Sequence, residues 1–335
     1  MNIYDISQKA GVSIATVSRV LNNSPHVSEA TRAKVLSIID QSKYVPNAFA
    51  RGLGLNSMKT VGLLCPDASD PYLATALSLL ESKFRQNGYD CLLGCTGRQR
   101  DSIKQGVESM INRHVDGMVL MGSSFIEDEA RDNEYIRNAA SSMPVVILNG
   151  FFSCENVYSV LCDDKKAMYD AAQTLIQKGH RHILYLHHST NFSGQRKKAG
   201  YLQALAEAGI PADPSMICFV DKDKQSVQKV KEILFQLKNA GVNFDSVLCS
   251  EDILAVGSLK FARDAGISIP DELSVIGYNN SVLCICSEPE LSSVDNKLSA
   301  ICEKVAETMM GVFEGRDVPR ETVFNGELII RESMK

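Results

Sequence analysis

From Thr60 onward the chain repeats one pattern, a short apolar run followed by a longer stretch with helical spacing. Val61-Gly62-Leu63-Leu64-Cys65 reads as a buried strand, Tyr72 to Asn87 as a helix, Cys91 to Gly94 as a strand and Ser102 to Arg113 as a helix. Val115 to Leu120 and Val145 to Leu148 continue the series. Strands that are apolar along their whole length belong in a parallel sheet with helices on both faces. A second series opens at Tyr158 to Leu161. It runs through helix Lys165–Lys178, strand Ile183–Leu186, helices Gln195–Ala208 and Ser226–Ala240, strand Val247–Cys249, helix Ile253–Ala265 and strand Val275–Gly277. Two such sets predict two α/β lobes, doubly wound around parallel sheets, with a cleft between them. Sheets of this kind bind small molecules beyond the carboxyl ends of their strands. The last segment offers strand Ser292–Val294, a helix from Leu298 to Glu314 and the closing run Leu328 to Glu332.

The first 56 residues follow a different, all-helical pattern. Tyr4 to Ala10 has Ile6 and Ala10 pointing inward, Gly11 supplies a tight turn, and Ser13 can cap the helix that follows. In that helix Val17, Val20 and Leu21 make one apolar face, while Ala15, Ser18, Arg19 and Asn22 line the other. This is a helix-turn-helix pattern, whose second helix enters the major groove of DNA in proteins that use it so. Ser28 can cap a third helix reaching Ser42, with Val35, Leu36, Ile38 and Ile39 expected to close a small core. Pro46 ends the unit and can open a further helix from Asn47 to Leu53. That helix is shorter than the roughly 12 residues at which an isolated helix becomes even marginally stable, so it needs a partner to form.

Charge supports the division. The chain of 335 residues has 35 basic and 40 acidic side chains, yet residues 1–56 carry a net of +3 and the remainder −8. A small basic head on an acidic body confines nucleic-acid contact to one end. The sequence offers neither a secretion signal nor a run of membrane-spanning length, which points to the cytoplasm. Ten cysteines lack framework spacing, and Cys284-Ile285-Cys286 has no second pair at zinc-finger distance, so reduced thiols are expected. His180, His182, His187 and His188 cluster in sequence, but Gly179 to Ile183 leads into a strand, and the four are not expected to bind metal. No cofactor is expected.

Val20-Leu21-Asn22-Asn23, His26-Val27-Ser28-Glu29, Thr31-Arg32-Ala33-Lys34-Val35 and Tyr44-Val45-Pro46-Asn47-Ala48-Phe49-Ala50-Arg51-Gly52-Leu53 resemble, in order and spacing, the DNA-binding head of the LacI/GalR family of transcriptional regulators. The resemblance continues to the end of the chain. It implies a helix-turn-helix domain over 1–56, with a hinge helix at about 47–53, and an effector-binding and dimerisation domain over 57–335. The two lobes of that domain would span about 60–160 plus 291–320 and about 161–290 plus 321–335. By the same resemblance Ile14, Ala15 and Arg19 contact bases. Ser13, Thr16, Ser18, Asn22, Ser28, Tyr44 and Asn47 contact the DNA backbone, and Leu53 with Ala50 forms a minor-groove lever. The implied partners are a near-palindromic operator, a second copy of the chain and a small effector, with no membrane.

The family's effectors, mostly sugars and nucleobases, bind between the lobes. The resemblance places Tyr72, Leu73, Asn149, Lys197, Lys222, Glu251 and Asn279 there, and several depart from the usual pattern. Lys197 stands for an arginine, Ser250-Glu251-Asp252 for Ala-Asn-Asp, Lys222 for an aromatic, and Asn149 and Asn279 for aspartates. Losing an aspartate removes a charged acceptor worth about 1.5 to 3 kcal/mol per hydrogen bond. A modified or charged sugar is therefore expected rather than a neutral hexose.

The expected function is a DNA-binding regulator, most readily a repressor, controlled by a metabolite. A periplasmic solute-binding protein would share the body, but it needs a secretion signal where this chain has a helix-turn-helix. A non-catalytic sensor working with a protein corepressor is the other alternative. An enzyme is not expected, because the sequence has no Gly-rich phosphate loop, nucleophile elbow or metal-ligand motif. The pair Asp163 and Asp164 is explained by helix capping.

Overall fold

The computed structural model describes residues 2–21, 24–42, 57–127, 129–221 and 226–335. At the amino end α1 (Ile3–Ala10), α2 (Ile14–Leu21) and α3 (Glu29–Ser42) surround a core of Ile6, Ala10, Val17, Val20, Val35 and Ile39. Asn2 and Asp5 exchange side chain and backbone bonds in a capping box that starts α1. Gly11, at φ 67°, turns the chain into α2 through a left-handed conformation that costs glycine little. Leu36 departs from expectation. It is exposed, because α3 turns Val35 and Ile39 toward the other helices, with Ile38 packed beside them.

The first sheet is built from β1 (Thr60–Cys65), β2 (Asp90–Cys95), β3 (Gly117–Met121), β4 (Val145–Leu148) and β5 (Val157–Cys162), with α4 (Pro71–Gln86), α5 (Arg100–Asn112) and α6 (Glu134–Ala140) between them. The second holds β6 (Ile183–His187), β7 (Ile217–Phe219), β8 (Ser246–Cys249), β9 (Ser274–Tyr278) and β10 (Ser292–Asp295). Its helices are α7 (Asp164–Gln177), α8 (Phe192–Glu207), α9 (Ser226–Asn239), α10 (Asp252–Ala265) and the single turn α11 (Leu283–Cys286). After α12 (Leu298–Phe313), β11 (Glu321–Phe324) joins the first sheet and β12 (Glu327–Ile329) the second. The orders are β11-β5-β4-β3-β1-β2 and β12-β10-β9-β8-β6-β7, parallel throughout except where β12 runs against β10.

Both faces of each sheet are covered, as wholly apolar strands require. In the first sheet, alternate residues such as Leu63, Val119 and Val146 meet α4 and α12, while Leu64, Leu120 and Ile147 meet α5 and α6. In the second, Tyr185, Leu248 and Ile276 meet α7 and α8, and Leu184, Val247 and Val275 meet α9 and α10.

Three expectations about the lobes are corrected. The run Tyr158–Leu161 does not open the second series; as β5 it pairs with β4 and completes the first sheet. Strand 292–295, expected to return with the first lobe, pairs with β9 in the second, so the chain crosses back only before α12, which packs on α4, β4 and β5. The last crossing lies between 324 and 327, since 321–324 pairs with β5. Strand pairing decides each case, and Ser-Ser-Val-Asp or Glu-Thr-Val-Phe says little in sequence about which sheet it will join.

Candidate functional site

Helix α2 presents its outer face to solvent. Ile14, Ala15 and Arg19 are exposed, with Thr16 and Ser18 half-buried beside them, while Val17 and Val20 anchor the inner face. Ser13 Oγ accepts a hydrogen bond from Thr16 N at 3.2 Å and lies 2.9 Å from Thr16 Oγ1. Ser28 Oγ accepts from Thr31 N at 3.3 Å and meets Thr31 Oγ1 at 2.8 Å. Both serines therefore cap helices, and a helix amino end suits a phosphate oxygen. Asn22, Tyr44, Asn47, Ala50 and Leu53, with the hinge helix, lie outside the described residues, as does Lys222.

The second site lies at the carboxyl ends of the strands of both sheets. An inner chamber of about 90 Å3 adjoins an outer one of about 420 Å3, and Asp70, Tyr72, Arg98, Glu251 and Asn279 line both. Tyr72, Leu73, Asn149, Lys197, Glu251 and Asn279, chosen from sequence, all line the inner chamber. Local structure explains how they are held. Asp70 caps α4, accepting from Tyr72 N at 2.9 Å and from Leu73 N at 3.4 Å, with Pro71 in the first turn. Asn149 and Asn279 have φ of 58° and 102°, which turns the chain sharply at the ends of β4 and β9.

Their side chains differ in what remains for a ligand. Asn149 Oδ1 accepts from Cys162 N at 3.3 Å, and Asn279 Oδ1 accepts from Asn296 Nδ2 at 3.1 Å. Leu73 is turned mostly into the core. Lys197, buried in α8, donates to Ser250 O at 3.0 Å and lies 3.7 Å above the Tyr278 ring. Glu251 Oε1 pairs with His188 Nε2 at 3.2 Å. The Tyr72 hydroxyl is buried without a hydrogen-bond partner among the described residues, and burial pushes its pKa well above the usual phenol value.

Beneath the chamber, Asp164 accepts from Tyr278 Oη at 2.6 Å and from Ser193 Oγ at 2.5 Å. Asp163 caps α7 and meets Arg196 Nη2 at 2.6 Å. Its pKa is lowered because bonds from Lys166 N and Arg196 outweigh the opposing effect of burial. Asp252 ties α10 to neighbouring segments through Ser293 Oγ at 2.6 Å and Ser281 N at 2.7 Å, and burial raises its pKa.

Sequence reading missed Arg98, His188 and Ser193. Each stands in a loop, or a first helical turn, that follows β2 or β6. The rule that ligands bind beyond strand ends could have drawn attention to them. Among the described residues no group of three or more histidine, cysteine or acidic side chains could hold a metal ion. His180 and His182 instead flank Asp245, at 3.0 and 3.6 Å. No described helix is long and apolar enough to cross a membrane.

Comparison with known proteins bears on both sites. Residues 58–332 match the description "Periplasmic binding proteins and sugar binding domain of LacI family", and residues 2–47 match "Bacterial regulatory proteins, lacI family". The chain belongs to the LacI family. An HTH-type transcriptional regulator of Lachnoclostridium phytofermentans is 45% identical to it over 99% of each chain. The HTH-type transcriptional regulator GalR of Escherichia coli is 32% identical, over 99% of this chain and 95% of its own. Among solved structures, that of the transcriptional regulator CelR in complex with cellobiose aligns over 99% of both chains, with 26% identity and a TM-score of 0.71. Like its LacI-family relatives, this protein is a DNA-binding transcriptional regulator and not an enzyme.

Proposed function

We propose that this LacI-family protein is a cytoplasmic repressor whose grip on a near-palindromic operator is controlled by an acidic sugar derivative bound between its lobes. It acts as a homodimer, whose two-fold axis the operator mirrors. Arg19 reads a guanine, Ile14 and Ala15 meet thymine methyls, and Ser13, Thr16, Ser18 and Ser28 set the register on phosphates. Arg19→Ala is expected to cost about 1 to 3 kcal/mol of discrimination at one base pair, read by gel shift against operator variants.

The observation that carries the ligand class is which charged groups of the inner chamber are already engaged. Asp70 is engaged as a helix cap and Glu251 with His188, whereas Arg98 has no carboxylate partner among the described residues. Lys197 has two ammonium hydrogens left after its bond to Ser250 O. Amides at Asn149 and Asn279 replace two of the family's carboxylates, which removes repulsion toward an anion. The match to CelR bound to cellobiose supports a saccharide scaffold.

A thermal-shift series with aldonic acids, uronic acids, sugar phosphates and their neutral parents tests the reading. At a hundred times its dissociation constant a ligand stabilises by about 2.7 kcal/mol, which moves the midpoint by several degrees. Acidic members should stabilise the wild type, and Arg98→Ala and Asn279→Ala should weaken them. A response to neutral cellobiose with none to acids would overturn the charged-ligand reading. An acid response untouched by either substitution would overturn the placement.

A further inference from the structure

Two thiols stand side by side at the ends of strands whose following segments line the cleft. Cys65 ends β1 and Cys95 ends β2, and the two residues are partners in the parallel register. In-register residues of neighbouring strands point to the same face, with backbones about 4.8 Å apart. This lies inside the span of about 4.4 to 6.8 Å between α-carbons that a disulfide accepts. The sulfur atoms are 3.9 Å apart, so bonding needs them to approach to about 2.05 Å, a side-chain adjustment rather than a strand movement. Cys65 is buried, whereas Cys95 is exposed on β2, the edge strand of its sheet.

We propose that Cys65 and Cys95 are a reversible oxidation site that closes to an intramolecular disulfide and reports redox state to the ligand cleft. The oxidant class is a peroxide. The Cys95 thiolate attacks one peroxide oxygen, the O–O bond breaks, and hydroxide leaves to take up a proton as water, giving a sulfenic acid. The Cys65 sulfur then attacks Cys95 Sγ, the S–O bond breaks, and the departing hydroxide carries off the Cys65 proton as a second water. Two thiols give up two electrons and one peroxide accepts them. Exposure assigns the first step to Cys95. Burial, with Cys95 and Asp67 adding to it, pushes the Cys65 thiol up to about 12, so it stays protonated and does not compete for the peroxide in the first step.

The link to the cleft is made by backbone. Thr96 N donates to Cys65 O at 2.9 Å and Gly97 N to Pro66 O at 3.0 Å, so pairing of the two strands continues beyond the cysteines. The next residue is Arg98, and Pro66 and Arg98 both line the inner chamber. Closing the disulfide ties the ends of the two strands covalently, one residue before Pro66 and three before Arg98. The site stands whether or not the effector is acidic.

The full-length protein, reduced and then freed of reductant, is treated with hydrogen peroxide and digested with trypsin without reduction. The expected product links the peptide containing Cys65 to the one containing Cys91 and Cys95, two hydrogens lighter than their sum, and dithiothreitol removes it. Cys91 stands opposite Val61 rather than Cys65, so Cys91→Ser should keep the link and Cys95→Ser, at an exposed position, should lose it. Hydrogen exchange at Thr96 and Gly97 should differ between the oxidised and reduced forms. Oxidation of Cys95 to sulfinic acid without a link, or a link that survives Cys95→Ser, would overturn the site. Equal exchange in the two forms would overturn its connection to the cleft.

Discussion

Asp245 shows how much one side chain can organise. It sits just before β8 and accepts from His180 Nδ1 at 3.0 Å, Arg181 N at 3.0 Å, His182 N at 3.1 Å and Ser246 Oγ at 3.0 Å. One carboxylate thus fastens the entry of β6 to the entry of β8. Burial alone would raise its pKa, but the four donors outweigh that and hold it far below the ordinary carboxylate range. Because the folded value is depressed, the stabilisation is complete above the unfolded value of about 3.9 and is lost as pH falls below about 4. Asp245→Asn cannot titrate. The difference in unfolding free energy between wild type and variant should therefore shrink as pH falls from about 6 to about 3, measured by urea titration at each pH. A constant gap would mean that Asp245 is not the acid-sensitive fastening.

At the scale of elements, the contact between α7 and α8 matters most for the cleft, because α8 carries Ser193 and Lys197. The two helices touch at Gly200, where an added β-carbon would lie 2.1 Å from Lys165 O and 2.9 Å from Tyr169 N. Helix propensity taken alone favours Gly200→Ala by about 1 kcal/mol. The backbone of α7 cannot yield as a flexible side chain would, so the sign reverses. A loss of about 3 kcal/mol is expected on chemical unfolding, together with weaker effector binding as Lys197 shifts. An unchanged midpoint would refute the close contact. Apolar periodicity, a local signal, predicts the two helices and the parallel strands, and the family resemblance points to six residues that line the inner chamber. Sequence alone could not give the hold of His188 on Glu251 or of Asp164 on Tyr278, which joins residues 114 apart in the chain. Nor could it place β10 and β11, whose small or alternating residues fit either sheet and whose location is settled by pairing.

At the scale of the whole molecule, the chain passes from one sheet to the other three times among the described residues, after Cys162, between Asp295 and Leu298, and between Phe324 and Glu327. Gly326 lies in the third passage. A β-carbon there would meet Ala167 Cβ at 2.8 Å, Cys162 Sγ at 3.3 Å and Val294 Cγ1 at 3.3 Å. Those atoms belong to the first helix beyond the first passage, the strand leading into that passage and the strand leading into the second, so elements flanking both other passages pack around one small residue. A ligand held between two lobes changes their equilibrium by favouring one arrangement of them, and the passages are where that arrangement is set. Gly326→Ala should therefore have two effects of different kinds. Overpacking should lower stability by about 1 to 3 kcal/mol, read from the urea midpoint. It should also alter the ratio of operator affinities with and without effector, a ratio that for typical couplings of about 1 to 3 kcal/mol lies between about 5 and 150. Gly88→Ala is the control for the loss of a glycine as such. Its surroundings are open and its φ of 75° makes it strained, so it should lower stability while leaving that ratio unchanged. If both variants lose stability and neither changes the ratio, the passages are connectors only, and control of the operator has to run through contacts between the two copies of the chain.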